Sequence, residues 1–220
     1  MVLVTGTATE VGKTWVSCAL LRLARARGLT VAARKPAQSF EPDSDPSSTD
    51  AAWLAAASGS APDAVCPPER SYPVAMAPPM AAAALGKPVP ALDELASWVT
   101  ASWSRGPVGG CDLGVVEGAG GVASPLAGDG DSAALARALD ADRVVLVADP
   151  ALGVINSVRL SVAALAPRSV VVHLNRFDRD DDLQRRNLAW LQEQDGLAVT
   201  TTVEGLLDAL CGPDGGRPAR

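Results

Sequence analysis

The apolar run Val2-Leu3-Val4 leads into Gly6-Thr7-Ala8-Thr9-Glu10-Val11-Gly12-Lys13-Thr14, and a helical pattern continues over residues 13–27. A strand that turns through glycine and opens a helix on Gly-Lys-Thr is the setting a phosphate-binding P-loop requires. The backbone N–H groups of the turn and of the first helical turn aim at one spot, and the helix dipole adds positive charge there. Lys13 would bring a full charge to the β- and γ-phosphates, and the Thr14 hydroxyl a ligand for Mg²⁺. The strict pattern has four residues between its first Gly and Gly-Lys. Five follow Gly6 here, so Thr7 holds the strict glycine position. A chance Gly-Lys-Thr at a helix start is the competing reading, and the strand before it argues against chance.

The rest of the chain keeps the same rhythm. Apolar runs of strand length fall at residues 2–4, 30–34, 113–116, 144–148, 169–174 and 198–203. Helical patterns fall at 13–27, 50–57, 91–104, 132–138, 154–166 and 181–194, and Leu92, Leu95, Ala96 and Val99 trace an apolar stripe along the third. Strands apolar throughout are buried on both faces. The sequence therefore predicts an α/β fold, a single P-loop NTPase-like domain whose parallel sheet is covered by helices on both faces. Ligands of such sheets bind at the C-terminal ends of the strands. The domain is expected to span residues 1–211, with the Gly/Pro-rich tail 212–220 disordered. Residues 40–49, rich in Pro, Asp and Ser, read as a mobile loop. Residues 66–90 carry many prolines and a short alanine-rich helix, a length of insertion that can close over a substrate.

Composition excludes several classes. The 220 residues are 48% hydrophobic, enough for one core, and the net charge of −6 speaks against a nucleic-acid or membrane-surface binder. No stretch is apolar enough to span a bilayer and no export segment opens the chain, so a cytoplasmic protein is expected. Cys18, Cys66, Cys111 and Cys211 are scattered and read as free thiols. The one histidine, His173, sits in an apolar run and reads as structural, which leaves no zinc site and no Cys/His triad.

Other residues of interest fall at predicted strand ends. Lys35 ends the second strand near the expected phosphates; a plain surface lysine is the alternative. Glu117 ends an apolar strand in the manner of a Walker B carboxylate, holding Mg²⁺ or its water, and the glycines after it allow close backbone approach. Asp50, at a helix start, reads equally as an N-cap or a metal ligand. Gly153-Val154-Ile155-Asn156 opens a helix whose free amides suit an anion. Asn175 carries both a donor and an acceptor, which suits a base edge or a turn.

Together these residues carry a resemblance. The segment Thr5 to Thr14 resembles the P-loop of the dethiobiotin synthetases, where Thr-Glu-Val-Gly-Lys-Thr is typical. Lys35-Pro36-x-x-Ser39, Val116-Glu117-Gly118-Ala119-Gly120-Gly121 and Leu152-Gly153-x-Ile155-Asn156 match that family's other blocks in the family's order, and the resemblance runs from Val2 to about Asn175. It implies an ATP-dependent cyclo-ligase that joins 7,8-diaminononanoate and CO₂ (or bicarbonate) through a carbamate and its phosphoric anhydride. Lys35 and Lys13 would be catalytic. Thr14, Asp50 and Glu117 would hold Mg²⁺. Glu10, Val11, Gly12, Lys13, Thr14, Asp50, Glu117, Gly118, Ala119, Gly120, Asn175 and Arg176 would bind ATP, with Asn175 reading adenine. Thr9, Lys35, Ser39, Gly153, Val154, Ile155 and Asn156 would meet the diamine substrate or its carbamate, in a homodimer with each site at the subunit interface.

Three positions depart from the family pattern: Phe40 stands where Gly is usual, Ser157 where His is frequent, and Val203-Glu204-Gly205 where Ile-Pro is common. Two other readings compete. Partition-type ATPase switches carry an extra P-loop lysine at the position of Ala8. Cobyrinate-type amide synthetases carry a glutaminase domain with a Cys/His site, and this chain has one His.

Overall fold

The computed structural model describes residues 1–104 and 112–211; Cys111 and the tail 212–220 lie outside the described residues. In chain order the strands are β1 (Val2–Gly6), β2 (Val31–Arg34), β3 (Gln38–Ser39), β4 (Ser71–Tyr72), β5 (Leu113–Glu117), β6 (Pro125–Ala127), β7 (Gly130–Asp131), β8 (Arg143–Ala148), β9 (Val170–Leu174) and β10 (Ala198–Thr200). The helices are α1 (Lys13–Ala26), α2 (Asp50–Ser58), α3 (Pro62–Val65), α4 (Pro78–Ala84), α5 (Leu92–Ser104), α6 (Ser132–Ala138), α7 (Val154–Leu165), α8 (Asp182–Ala189) and α9 (Val203–Cys211).

Six strands form one sheet in the order β10-β9-β8-β1-β5-β2, every neighbouring pair parallel. Because side chains alternate across a strand, each strand feeds both faces. Val2, Val4, Val145 and Val147 enter one core beneath α1, α2 and α9; Leu3, Val144, Leu146 and Ala148 enter the other beneath α5, α6 and α7. Ala24, Ala51, Ala55 and Ala57 pack in the first core, where small side chains let α1 and α2 approach closely. Leu20 and Leu21 are fully buried there, and truncating either to Ala would cost about 2–5 kcal/mol.

The register brings Val4 opposite both Glu117 and Val145. β1 thus ends between β5 and β8: the chain first builds β2 and β5 on one side of β1 and then crosses to build β8, β9 and β10 on the other. A crevice opens at the C-terminal ends of such strands.

The expected strands and helices are present with end shifts of a few residues. The last strand stops at Thr200 rather than residue 203. Thr202 accepts the Gly205 N–H at 3.1 Å, an N-cap that starts α9, and α9 buries Leu206, Leu207 and Leu210. Helix α8 is capped by Asp181 and runs on into a π-helical turn, Trp190–Gln194. The proline-rich insertion contains β4, paired with β3, and α4. Among the described residues, no helix is long and apolar enough to cross a membrane.

Candidate active site

The P-loop is held from several sides. Gly12 has φ +93°, a left-handed conformation that caps α1, and a Cβ there would lie 2.1 Å from Asn175 Nδ2. Glycine is the residue that meets both demands. Asn175 Nδ2 donates to Val11 O at 2.9 Å. Glu10 and Arg176 both have positive φ without being glycine, and the Arg176 guanidinium donates to Glu10 O at 3.4 Å. Left-handed non-glycine residues gather where surrounding structure holds a functional loop in place. Lys13 Nζ folds back on Ala8 O at 3.0 Å. Burial, and then repulsion from Lys35, pull the Lys13 pKa down to about 8. A bound anion would oppose both effects, and the N–H groups of the loop and of the first turn of α1 suit one.

Beside the loop lies a polar cluster built across the sheet. Glu117, at the end of β5, is fully buried. Its Oε2 accepts from Ser17 at 2.7 Å and its Oε1 from Lys35 Nζ at 2.8 Å. Lys35 Nζ also meets Asp50 Oδ2 at 2.5 Å and Gly118 O at 3.4 Å. Burial pulls the Lys35 pKa down; attraction to Asp50 and Glu117 outweighs it, and the net direction is upward. Lys35 also holds the Asp50 carboxyl below its usual range, against the opposing effect of burial.

Thr14 Oγ1 lies 2.9 Å from Asp50 Oδ1 and 2.8 Å from Glu117 Oε1. One hydroxyl proton can serve only one of those carboxylates well. Both spacings from Thr14 match the separation of about 3 Å between adjacent oxygen ligands of a hard cation such as Mg²⁺. Lys35 balances the carboxylates in the arrangement seen.

A cleft of about 940 Å³ gathers most of the expected residues: Thr9, Glu10, Gly12, Lys13, Thr14, Lys35, Ser39, Asp50, Ala119, Gly120 and Arg176 all line it. Val11 is buried behind the loop, and Gly118 packs against Ser132. Asn175 opens instead on a neighbouring cavity of about 440 Å³. Gly153, Val154, Ile155 and Asn156 do not line the cleft of the single chain; Gly153 caps α7 with φ +95°. Ser39 Oγ donates to Met76 O at 2.5 Å, tying β3 to the proline-rich insertion. Met76 and Pro78 of that insertion line the cleft with Phe40 and Trp53.

Sequence reasoning missed Ser17, which shares Glu117, and Trp15, which lines both cavities. Ser17 stands one helical turn beyond Lys13, a spacing that does put it on the same face of α1.

Comparisons with known proteins agree with this geometry. A family model described as an AAA domain matches residues 1–204. The ATP-dependent dethiobiotin synthetase BioD of Anaeromyxobacter dehalogenans (strain 2CP-C) is 40% identical over 205 residues, 89% of this chain and 87% of that one. The protein of the same name from Xylella fastidiosa (strain Temecula1) is 42% identical over 166 residues, 74% and 70% of the two chains. Among solved structures, a plasmid partition protein from Borrelia burgdorferi superposes with a TM-score of 0.54 at 12% identity, covering 94% of this chain and 96% of that one, a likeness of fold alone. With the P-loop, the carboxylate at the end of β5 and similarity along most of its length, the chain belongs to the ATP-dependent dethiobiotin synthetase family.

Proposed function

We propose that the protein is an ATP-dependent ligase that closes the ureido ring of dethiobiotin from 7,8-diaminononanoate, CO₂ and ATP. The observation that carries this reading is Lys35, a lysine buried among Glu117, Asp50 and the P-loop on the wall of the cleft. Family membership supports the choice of substrates.

One amine of the diamine attacks the carbon of CO₂ and loses a proton, giving a carbamate. A carbamate oxygen attacks the γ-phosphorus and ADP leaves. The second amine attacks the carbamoyl carbon, and phosphate leaves as the ring closes. Phosphoryl transfer of this kind depends on positioning and on neutralising charge. Lys13 and Lys35 supply cations for it; one lysine about 4 Å from an oxyanion is worth about 4 kcal/mol gross at an effective dielectric near 20. Thr14, Asp50 and Glu117 would hold Mg²⁺, which when bound neutralises charge on the phosphate oxygens. Thr9 and Ser39 line the cleft where the diamine or its carbamate would lie.

The Gly153–Asn156 segment enters this reading through a homodimer. Helix α7 is exposed along Leu160 (65%), and Leu152 just before it is 86% exposed. Two such faces meeting would cover these side chains and could bring the α7 N-terminus of one subunit to the cleft of the other. The free amides there suit the substrate carboxylate.

The test is ADP release with ATP, Mg²⁺ and bicarbonate, with and without 7,8-diaminononanoate. Release that requires the diamine and yields dethiobiotin by mass is the expected result. Hydrolysis indifferent to the diamine overturns the reading in favour of a nucleotide switch.

A further inference from the structure

Ser17 and Glu117 are both fully buried, and they meet across 100 positions of sequence. A serine inside a helix can return its hydroxyl to the carbonyl four residues back. Ser17, on α1, instead donates to Glu117 Oε2 at 2.7 Å. The two oxygens of the carboxylate are thereby divided. Oε1 accepts from Lys35 Nζ at 2.8 Å and lies 2.8 Å from Thr14 Oγ1. Thr14 and Lys35 line the cleft, so Oε1 is the oxygen on the side where a cation would enter. Oε2 has Ser17 as its one hydrogen-bond donor among the described residues.

This division matters because the partners of Oε1 are the ones a ligand changes. A cation held by Thr14, Asp50 and Glu117 competes with the Lys35 ammonium for the same two carboxylates. The bond from Ser17 lies on the other oxygen of Glu117 and is untouched by that exchange. Without it, a fully buried Oε2 has no donor, an arrangement that costs free energy. The carboxylate is then drawn to turn both oxygens toward the Lys35 ammonium, away from the setting in which Oε1 stands 2.8 Å from Thr14.

We propose that Ser17 is a positioning residue for the cation site: it holds Glu117 so that Oε1 faces Thr14, ready as a ligand. Hydrogen-bond partners of metal ligands fix the orientation of those ligands, and removing one costs about 10- to 100-fold in metal affinity. The plain alternative is a buried hydroxyl that does no more than fasten α1 to the sheet. A residue of that kind affects nucleotide binding alike with and without the cation. The inference rests on the reading of this cluster as a Mg²⁺ site beside a bound nucleotide.

The experiment measures the calorimetric affinity of the full-length protein for the non-hydrolysable β,γ-imido analogue of ATP, in Mg²⁺ and in EDTA. The readout is the gain in affinity that Mg²⁺ gives over EDTA. Wild type should show a gain of at least about tenfold, since the cation neutralises charge on the phosphate oxygens. Ser17→Ala should reduce that gain at least about fivefold and leave the affinity in EDTA within about twofold. Ser17→Thr, which keeps the donor, should hold the gain within about twofold of wild type. Ser17→Cys keeps nearly the size of serine, offers only a weak donor and should follow Ser17→Ala, so it serves equally if the alanine variant does not fold. An unchanged gain in Ser17→Ala or Ser17→Cys overturns the proposal. Equal losses in Mg²⁺ and in EDTA overturn it and leave Ser17 a fastening of α1. A Ser17→Thr variant that loses the gain as Ser17→Ala does overturns it as well, because the hydroxyl is then not what matters. No gain in wild type sinks the Mg²⁺ assignment and the proposal together, and diamine-dependent ADP release reports separately on the ligase reading.

Discussion

Asn175 donates its side-chain amide to the carbonyl of Val11 at 2.9 Å, tying the P-loop to a strand end 164 residues away in the chain. The same nitrogen lies close to where a Cβ on Gly12 would fall, 2.1 Å from it. Gly12→Ala should therefore weaken Mg·ATP binding at least about tenfold, since it adds a clash to a left-handed cost of about 1–2 kcal/mol. Asn175→Ala removes the clash and leaves the strain. The double variant should bind ATP better than the sum of the single effects implies, with a coupling of at least about 0.5 kcal/mol by calorimetry. Strict additivity would show that the contact does not shape the loop.

Lys13→Ala removes the cation at the phosphate cradle. The fold should persist, because among the described residues the Lys13 ammonium hydrogen-bonds only the Ala8 carbonyl. Turnover should fall at least about 100-fold, the scale of one lost transition-state contact. Near-wild-type kcat beside an unchanged circular dichroism spectrum would remove Lys13 from the mechanism.

Lys35→Gln acts on chemistry and on stability. If Lys35 neutralises the carbamate and its phosphorylated form, kcat should fall about 100-fold or more while ATP affinity stays within about threefold. The substitution also leaves Asp50 and Glu117 facing one another without their ammonium. Loss of one partner from a buried ion pair costs about 3–5 kcal/mol, and a cation bound there would restore part of it. The Tm of the variant should drop in EDTA and recover with Mg²⁺ by more than wild type gains. An ATP affinity that fell in step with kcat would make Lys35 a nucleotide ligand.

His173 is the chain's one histidine, and burial holds its pKa near 4. The unfolded chain, with an ordinary imidazole near 6.5, takes up its proton first as pH falls. The stability this neutral ring permits is complete above pH 6.5 and is lost as pH falls toward 4, by at most about 3 kcal/mol. The urea midpoint of wild type should thus decline between pH 6.5 and 4.5 more steeply than that of His173→Gln. Parallel declines would assign the acid sensitivity to carboxylates.

Gly153 has φ +95°, and nothing lies within 4 Å of the point where its Cβ would stand, so Asp there costs about 1 kcal/mol of conformational strain without a clash. In the proposed dimer the added carboxylate repels the substrate's own. The KM for the diamine should rise about tenfold and that for ATP stay within about twofold, as expected of a contact made to one substrate only. An active monomer by light scattering, or an unaltered diamine KM, would count against the shared site.

The parallel sheet and the P-loop were legible in the sequence because both are local. Continuous apolar runs, helical stripes and a glycine turn before Gly-Lys-Thr depend on near neighbours in the chain. The small pairs β3–β4 and β6–β7 were not legible, since two or three residues carry no periodicity, and α9 was hidden by the cap at Thr202. Lys35, Asp50 and Glu117 could be named one by one as strand-end or helix-start residues, but not their meeting. Lys35 and Glu117 stand 82 residues apart, Thr14 and Glu117 103, and the parallel register of β1, β5 and β2 brings their ends together. His173 shows the same division: its place in an apolar strand was plain from sequence. That its ring opens on a cavity with one nitrogen committed follows from the pairing of β9 with β10, because hydrogen-bond partners across a sheet are chosen by register and leave no trace in the spacing along either strand.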